Sequence, residues 1–337
     1  RYIFARKNNK VDDLFNKDDY INLPEQNFEG TKIEPKYYVP VLPLIAINGS
    51  EGVSVGFAQK ILPRDPEKIK QWVESVAKGN KPSGVVLKPY WNGNKCKVEQ
   101  GETSKQWLIK GNVKQVSPTK LVIDSVPVGT TLKGYHKVLD KLEDDKVIKG
   151  YTDKSDNDTF LFEVRAEKTF CNKDIEWLLR KLKLIKTVSE NYTCVDENNT
   201  IVQFDSFDDI LWAWYKKRIE YNEKRKQSVI NEYKQKLIDS VVKRTFVSGV
   251  IDGVIVLSNK TDDEIKEQMN SLPESIAKLC KTEYYDKLVK LPIKILTKVE
   301  VDKLNDSINK MKKELAEYEK LTFEDITLTD LNKVLTN

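Results

Sequence analysis

One histidine, His136, serves a chain of 337 residues, and that scarcity removes whole classes of chemistry at the outset. A single imidazole cannot build a histidine-based metal site or supply the Ser–His half of a triad, and it reads as an exposed helix or loop residue. The four cysteines, Cys96, Cys171, Cys194 and Cys280, lie 75, 23 and 86 positions apart. No CxxC pair or zinc-ligand spacing exists, so they read as reduced packing residues in a cytosol-like compartment. There is no long apolar run and no signal peptide, and the Asn-x-Ser/Thr triplets at Asn48 and Asn191 are what an asparagine-rich chain makes by chance. The expectation is a soluble, cytoplasmic protein without membrane contact. GxxxxGK(S/T) and HExxH are missing and no GxSxG stands in the order a triad requires, so nucleotide hydrolysis, zinc proteolysis and serine acyl transfer have no signature.

What is present is size and patterned charge. The length predicts two or three domains, each able to bury its own core. The net charge of +5 is unevenly spread: residues 67–150 carry 16 basic against 9 acidic side chains, and 211–260 carry 11 against 5. Localised basic excess attracts a polyanion such as duplex DNA through counterion release. A solvated lysine-rich surface has the same composition, so charge alone does not separate the two.

Residues 1–16 read as the end of a helical element and 17–36 as an irregular polar connection. From Val39 to Val55 the run is apolar, with Pro40 and Pro43 early and Gly49, Gly52 and Gly56 late, which predicts buried extended backbone making close turns. Between 66 and 209, strand-like runs (84–87, 106–116, 120–126, 159–165) alternate with helical ones (67–78, 133–143, 173–182), an α+β pattern. The stretch 208–245 has neither Gly nor Pro and predicts one long helix. A second helix begins near Val299, where Val301, Leu304, Ile308, Met311, Leu315 and Tyr318 follow the 3-4 spacing of a coiled-coil seam. The economical arrangement is an antiparallel pair bracketing a small globular knob.

Local metal patterns fail on inspection. Asp153, Ser155 and Asn157 imitate the start of a calcium loop, but Asp158 stands where glycine is required and Val164 where glutamate is. Asp156 and Asp158 read as a polar turn, and no metal is assigned. Tyr37, Tyr38, Trp212 and Trp214 read as packing aromatics.

Several motifs in order carry more than any of these patterns. RYIFAR at 1–6, YVPVLPLIAINGSEGVSVGFAQKILP at 38–63, IDSVPVGTTLKGYHKVLDKL, RTFVSGVIDGVIVLSNKTDDEI and YYDKLVKLPIKILTKVEVDKLNDSI together resemble the cleavage subunits of type IIA DNA topoisomerases. The resemblance spans nearly the whole chain, and the RYIFAR form is similar to that of tailed-phage medium subunits. Eukaryotic topoisomerase II is similar over the same length, and bacterial gyrase A and topoisomerase IV A subunits are more distant.

The resemblance implies an α+β fold with the end of a winged-helix region (1–33), an α+β tower (34–210), a long antiparallel coiled coil (211–248 and 299–321), a small helical dimerisation gate (249–298) and a tail (322–337). It implies that Tyr2 is the nucleophile and that Arg1 holds the attacked phosphate. Val53 stands where the family places an apolar wedge, although taken without its flanks it reads as a buried loop residue. Asn48, Lys60 and Arg64 are candidate phosphate contacts. Mg2+ and ATP are expected on other domains or subunits, and the implied partners are double-stranded DNA, a second copy through 270–300, and an ATPase and magnesium-binding subunit. With no room after the coil for a DNA-wrapping domain, relaxation or decatenation is expected rather than gyration, and the fragment alone is expected to be inactive. Charge and coil patterns fit a non-enzymatic DNA-organising scaffold equally well. A coiled-coil regulator that binds no DNA is a further rival.

Overall fold

The chain's first described element is only one turn long. In the computed structural model, which describes residues 3–80, 87–156, 159–270 and 282–336, α1 (Val11–Leu14) is followed by a 3-10 turn, Lys17–Asn22, and a small hairpin, β1 (Asn27–Phe28) and β2 (Thr31–Lys32). The chain divides into two units, Pro40–Lys217 and the described parts of 1–39 with 218–337. The helical expectation for residues 1–16 is thus met only over α1, and the polar connection contains a hairpin turned by Gly30 at φ +77°.

The Pro40–Lys217 unit begins with α2 (Leu44–Asn48) and the hairpin β3 (Ser50–Ser54) and β4 (Phe57–Ile61). Helix α3 (Pro66–Ala77) starts where Asp65 caps the Glu67 amide at 2.9 Å and Pro66 occupies the first turn, a position that lacks a partner for its N–H in any case. Its buried residues Ile69, Trp72, Val73 and Val76 follow the i, i+3, i+4, i+7 stripe. Then come β5 (Lys97–Gln100), β6 (Gln106–Lys110), β7 (Asn112–Ser117), β8 (Lys120–Ser125), α4 (Leu132–Asp144), β9 (Gly150–Asp153), β10 (Phe162–Arg165), α5 (Lys168–Cys171), α6 (Ile175–Lys181), β11 (Ile185–Ser189), β12 (Thr193–Val195) and β13 (Ile201–Gln203).

All pairings are antiparallel, in a four-stranded sheet of order β7-β8-β10-β9, a three-stranded sheet β11-β6-β5, and the hairpins β3-β4 and β12-β13. Leu121 and Ile123 of β8 and Phe162 and Val164 of β10 turn one sheet face inward against Tyr135, Leu139 and Leu142 of α4 and Leu178 and Leu179 of α6. The Tyr135 hydroxyl is buried but donates to the Leu182 carbonyl at 3.0 Å, which removes the penalty of an unpaired polar group.

Sequence alternation predicts one strand through 106–116, but Gly111 breaks it and its two halves join different sheets. The Gly111 amide bonds the Leu184 carbonyl at 2.8 Å, and a Cβ there would stand 2.4 Å from the Ser125 carbonyl oxygen. Gly111→Ala is expected to destabilise this unit by roughly 1–3 kcal/mol through overpacking. A thermal melt unchanged from the parent would contradict that.

Helix α7 (Phe207–Ile251) continues from one unit into the other. In the second unit follow α8 (Asp262–Asn270), α9 (Thr282–Val289), a short 3-10 turn, α10 (Lys298–Lys320) and α11 (Phe323–Thr336). The side-chain contacts of α7 with α10 run in opposite senses: Lys226 donates to the Glu319 carbonyl at 2.8 Å and Arg244 to Asn305 at 3.3 Å. The two helices are therefore antiparallel, and the less exposed positions of α10 include the stripe from Val301 to Tyr318, with Ile308 buried. Val242, Phe246, Ile255, Ile265, Met269, Tyr285 and Leu288 form a separate small core at the far end of α7. The segment read as a tail is helix α11, which buries Ile326, Leu331 and Val334.

Candidate nucleic-acid interface

The glycines of the 49–56 stretch have distinct tasks. Gly49 has φ +70°, and a Cβ there would lie 2.6 Å from the Ile61 carbonyl oxygen and 2.9 Å from the Pro63 nitrogen. Only glycine lets the chain leave α2 and turn directly into β3. At the far end, Val55 and Gly56 form the turn between the Ser54↔Phe57 pair, with Gly56 at φ +78°. The hairpin therefore projects its tip, and the tip is apolar: Val53 is 88% exposed, Val55 97% and Phe57 50%. This corrects the expectation of buried backbone, which holds for Val39, Val41, Leu42 and Ala46 but not beyond Gly49. It also corrects the reading of Val53 as a buried loop residue. Val55, which sequence reasoning passed over, is the more exposed of the two.

Asn48 is exposed at the end of α2, beside the hairpin base. Lys60 pairs across the strands with Glu51, Nζ to Oε1 at 2.8 Å. Such a half-exposed pair contributes about 0–1 kcal/mol and exchanges readily for another anion. The Lys60 backbone exchanges two hydrogen bonds with Asn191, each 2.9 Å. Between this hairpin and β12–β13 lies a groove of about 290 Å³ lined by Val53, Phe57, Cys194, Val195 and Ile201 among others.

Arg64 is not at the surface. Its side chain is 1% exposed and forms a bidentate pair with Glu190, Nη2 to Oε2 at 2.7 Å and Nη1 to Oε1 at 3.1 Å. It also donates to the Leu62 and Leu87 carbonyls, each at 2.6 Å, and its guanidinium lies 4.1 Å from the centre of the Phe207 ring. The donors that would meet a phosphate are spent, which overturns Arg64 as a phosphate contact. Glu190 is equally engaged, accepting from the Leu62 amide at 2.8 Å, Trp107 Nε1 at 2.7 Å and the Tyr192 hydroxyl at 2.8 Å. The network fixes the end of β4 onto the chain just before β12. Burial, followed by the neighbouring Glu190 charge, drives the Tyr192 phenol far above its ordinary range.

Arg1 and Tyr2 lie outside the described residues, as do Asn157, Asp158, Cys280 and residues 271–281 of the expected dimer contact. The arm that follows Tyr2 is exposed from Ile3 to Lys10, with Ile3 at 93% and Phe4 at 96%. His136 is less free than the sequence implied. It sits on α4 with Nδ1 3.0 Å from the Tyr151 hydroxyl and Nε2 2.7 Å from Asp153 Oδ2. Burial and the hydrogen bond to Asp140 push the Tyr151 phenol up to about 12. Among the described residues no group of His, Cys, Asp or Glu is placed to hold a metal ion, and no helix is long and apolar enough to cross a membrane.

The sequence model for the family of DNA gyrase/topoisomerase IV A subunits matches residues 1–334. The chain belongs to this family. It is 29% identical over 328 residues to the DNA topoisomerase medium subunit of Enterobacteria phage T4, covering 96% of this chain and 71% of that protein. It is 26% identical over 378 residues to DNA topoisomerase 2 of Arabidopsis thaliana, covering 99% of this chain and 25% of the relative. The chain thus spans about a quarter of the plant enzyme's length. The DNA-binding, cleavage and re-ligation domain of Plasmodium falciparum topoisomerase II has the same fold, with a TM-score of 0.79 at 23% identity over 96% of this chain and 48% of that one. Membership in the gyrase/topoisomerase IV family supports the type IIA resemblance, and it gives no support to the non-enzymatic scaffold.

Proposed function

We propose that this chain is a DNA breakage–reunion part of an ATP-dependent type II DNA topoisomerase. The observation that carries the reading is the bare apolar tip of the β3–β4 hairpin, in a chain matched to the topoisomerase family over residues 1–334. Tyr2 acts as nucleophile: its phenolic oxygen forms a bond to a backbone phosphorus, the bond from that phosphorus to the 3′ oxygen breaks, and the departing 3′ hydroxyl takes the proton. The 5′-phosphotyrosyl ester keeps the bond energy, so attack by the same 3′ hydroxyl reseals the strand and frees Tyr2. Arg1 holds the phosphate, its planar fork suited to the charge that develops there. Mg2+ and ATP are held by other domains or subunits, and no residue of this chain is assigned to either.

Val53 and its hairpin serve as the wedge. An apolar side chain pushed between base pairs unstacks a step at a cost of a few kcal/mol and yields a bent duplex that touches more protein. Asn48 and Lys60 flank it as phosphate contacts, Lys60 exchanging Glu51 for the backbone. Relaxation or decatenation is the proposed outcome.

The proposed organisation is a winged-helix remnant (1–33), a tower (34–210), an antiparallel coiled coil (211–248 and 299–321), a gate (249–298) and a terminal segment (322–337). The gate dimerises through 270–300, where Val289, Ile293 and Val299 present exposed apolar side chains. Val53→Asp is expected to lower the bend of a duplex, read by fluorescence transfer between its ends, while leaving the salt dependence of binding almost intact. Wild-type bending in that variant would sink the wedge assignment.

A further inference from the structure

Buried charges in the unit built from 1–39 and 218–337 gather where the N-terminal arm meets the long helices. Asp19 is 3% exposed, the first buried residue met from the N-terminus among those described. Its Oδ1 accepts from Arg218 Nη2 at 2.8 Å and lies 3.7 Å from Arg225 Nε. Arg218 donates also to the Val39 carbonyl at 2.9 Å and to Asn222 at 3.0 Å. Arg225 pairs with Asp330 of α11 at 2.5 Å, and Asn222 reaches Thr327 at 2.7 Å. Asn16 donates to the other Asp330 oxygen at 3.3 Å while capping the 3-10 turn, and α1 packs against α11.

This is an uneconomical way to hold a core together. Asp19 Oδ2 and Arg225 Nε and Nη1 are buried with no hydrogen-bond partner among the described residues, and a partly satisfied ionic network is less stabilising than apolar packing of the same volume. What such a network supplies is a single register. Among its described residues the arm has no other deep anchor before Leu23, since Ile3 to Lys10 are exposed and α1 buries no residue.

We propose that Asp19 is a positioning residue for Tyr2, seating the catalytic arm in one register on α7 and α11 through Arg218 and Arg225. The inference rests on the topoisomerase reading. Asp330 takes part in the same network and, among the described residues, hydrogen-bonds to the arm through Asn16, so it contributes to stability more than to register.

The test uses the enzyme assembled with its partner subunits, scoring covalent DNA trapped by denaturant beside duplex affinity and melting temperature. Asp19→Glu keeps the charge and displaces the arm by one methylene. It is expected to fold and bind duplex as the parent does but to trap covalent DNA about 10²-fold less, the penalty of misplacing a reacting group by an ångström. Asp19→Asn is expected to lose both stability and trapping, and Asp330→Asn to lose stability while still trapping. Parent-level trapping by Asp19→Glu overturns the proposal, as does trapping that follows the melting temperature across all three variants. A parent enzyme that traps no DNA at all would fault the topoisomerase reading instead.

Discussion

Tyr2→Phe, in the enzyme assembled with its partners, is expected to abolish covalent capture of DNA and lower strand passage by at least about 10³-fold, because the phenolic oxygen is the group proposed to bond to phosphorus. Duplex affinity should be unchanged, since the ring remains and the proposed phosphate contacts are other residues. A phenol titrates near pH ~10 and is a weak nucleophile at neutrality, so its reactivity depends on surroundings that the assembled enzyme supplies. The same substitution in a DNA-organising scaffold would change nothing. Binding retained with capture lost separates the two; capture retained in the phenylalanine variant would rule Tyr2 out.

The second large effect concerns stability. Arg64→Ala removes one partner of a fully buried ion pair and leaves Glu190 charged in the interior, and breaking such a pair costs about 3–5 kcal/mol. That is a substantial part of the 5–15 kcal/mol or so that stabilises an ordinary domain. Arg64→Lys should recover only a fraction, because a compact ammonium cannot reproduce the fork to Glu190 together with the donations to the Leu62 and Leu87 carbonyls. Urea unfolding of the three proteins measures both effects. A loss under about 1 kcal/mol in Arg64→Ala, joined to a salt slope of DNA binding reduced by about one, would restore Arg64 to the surface as a phosphate contact.

How much was legible in the sequence follows from how local each signal is. The helical run at 67–78 and the seam from Val301 to Tyr318 are contained within one helix each, and both appear where the pattern put them. Gly49 and Gly56 announced close turns, whereas Gly52 lies inside β3, paired with Gln59. The inference from apolar to buried failed at Val53 and Val55 because those side chains project from a hairpin, where composition cannot tell a core from a working surface.

Arg64 failed in the opposite sense. Its partner Glu190 is 126 positions away, and no local pattern links them. Asp19 and Arg218 are separated by 199 positions and were invisible for the same reason. Gly111 looked like one more residue in a continuing alternation, since its reason, the Leu184 carbonyl and the crowding of Ser125, belongs to other strands. The pair that named the chemistry, Arg1 and Tyr2, came from resemblance alone.

Of the 14 tyrosines, Tyr2 alone is assigned the attack on DNA. The most direct measurement is mass spectrometry of the covalent DNA complex formed by the assembled enzyme, after nuclease digestion and proteolysis. The expected result is a nucleotide remnant on the peptide beginning at Arg1, localised to the Tyr2 oxygen through a 5′ phosphate. A remnant on any other residue, or one joined through a 3′ phosphate, would contradict it.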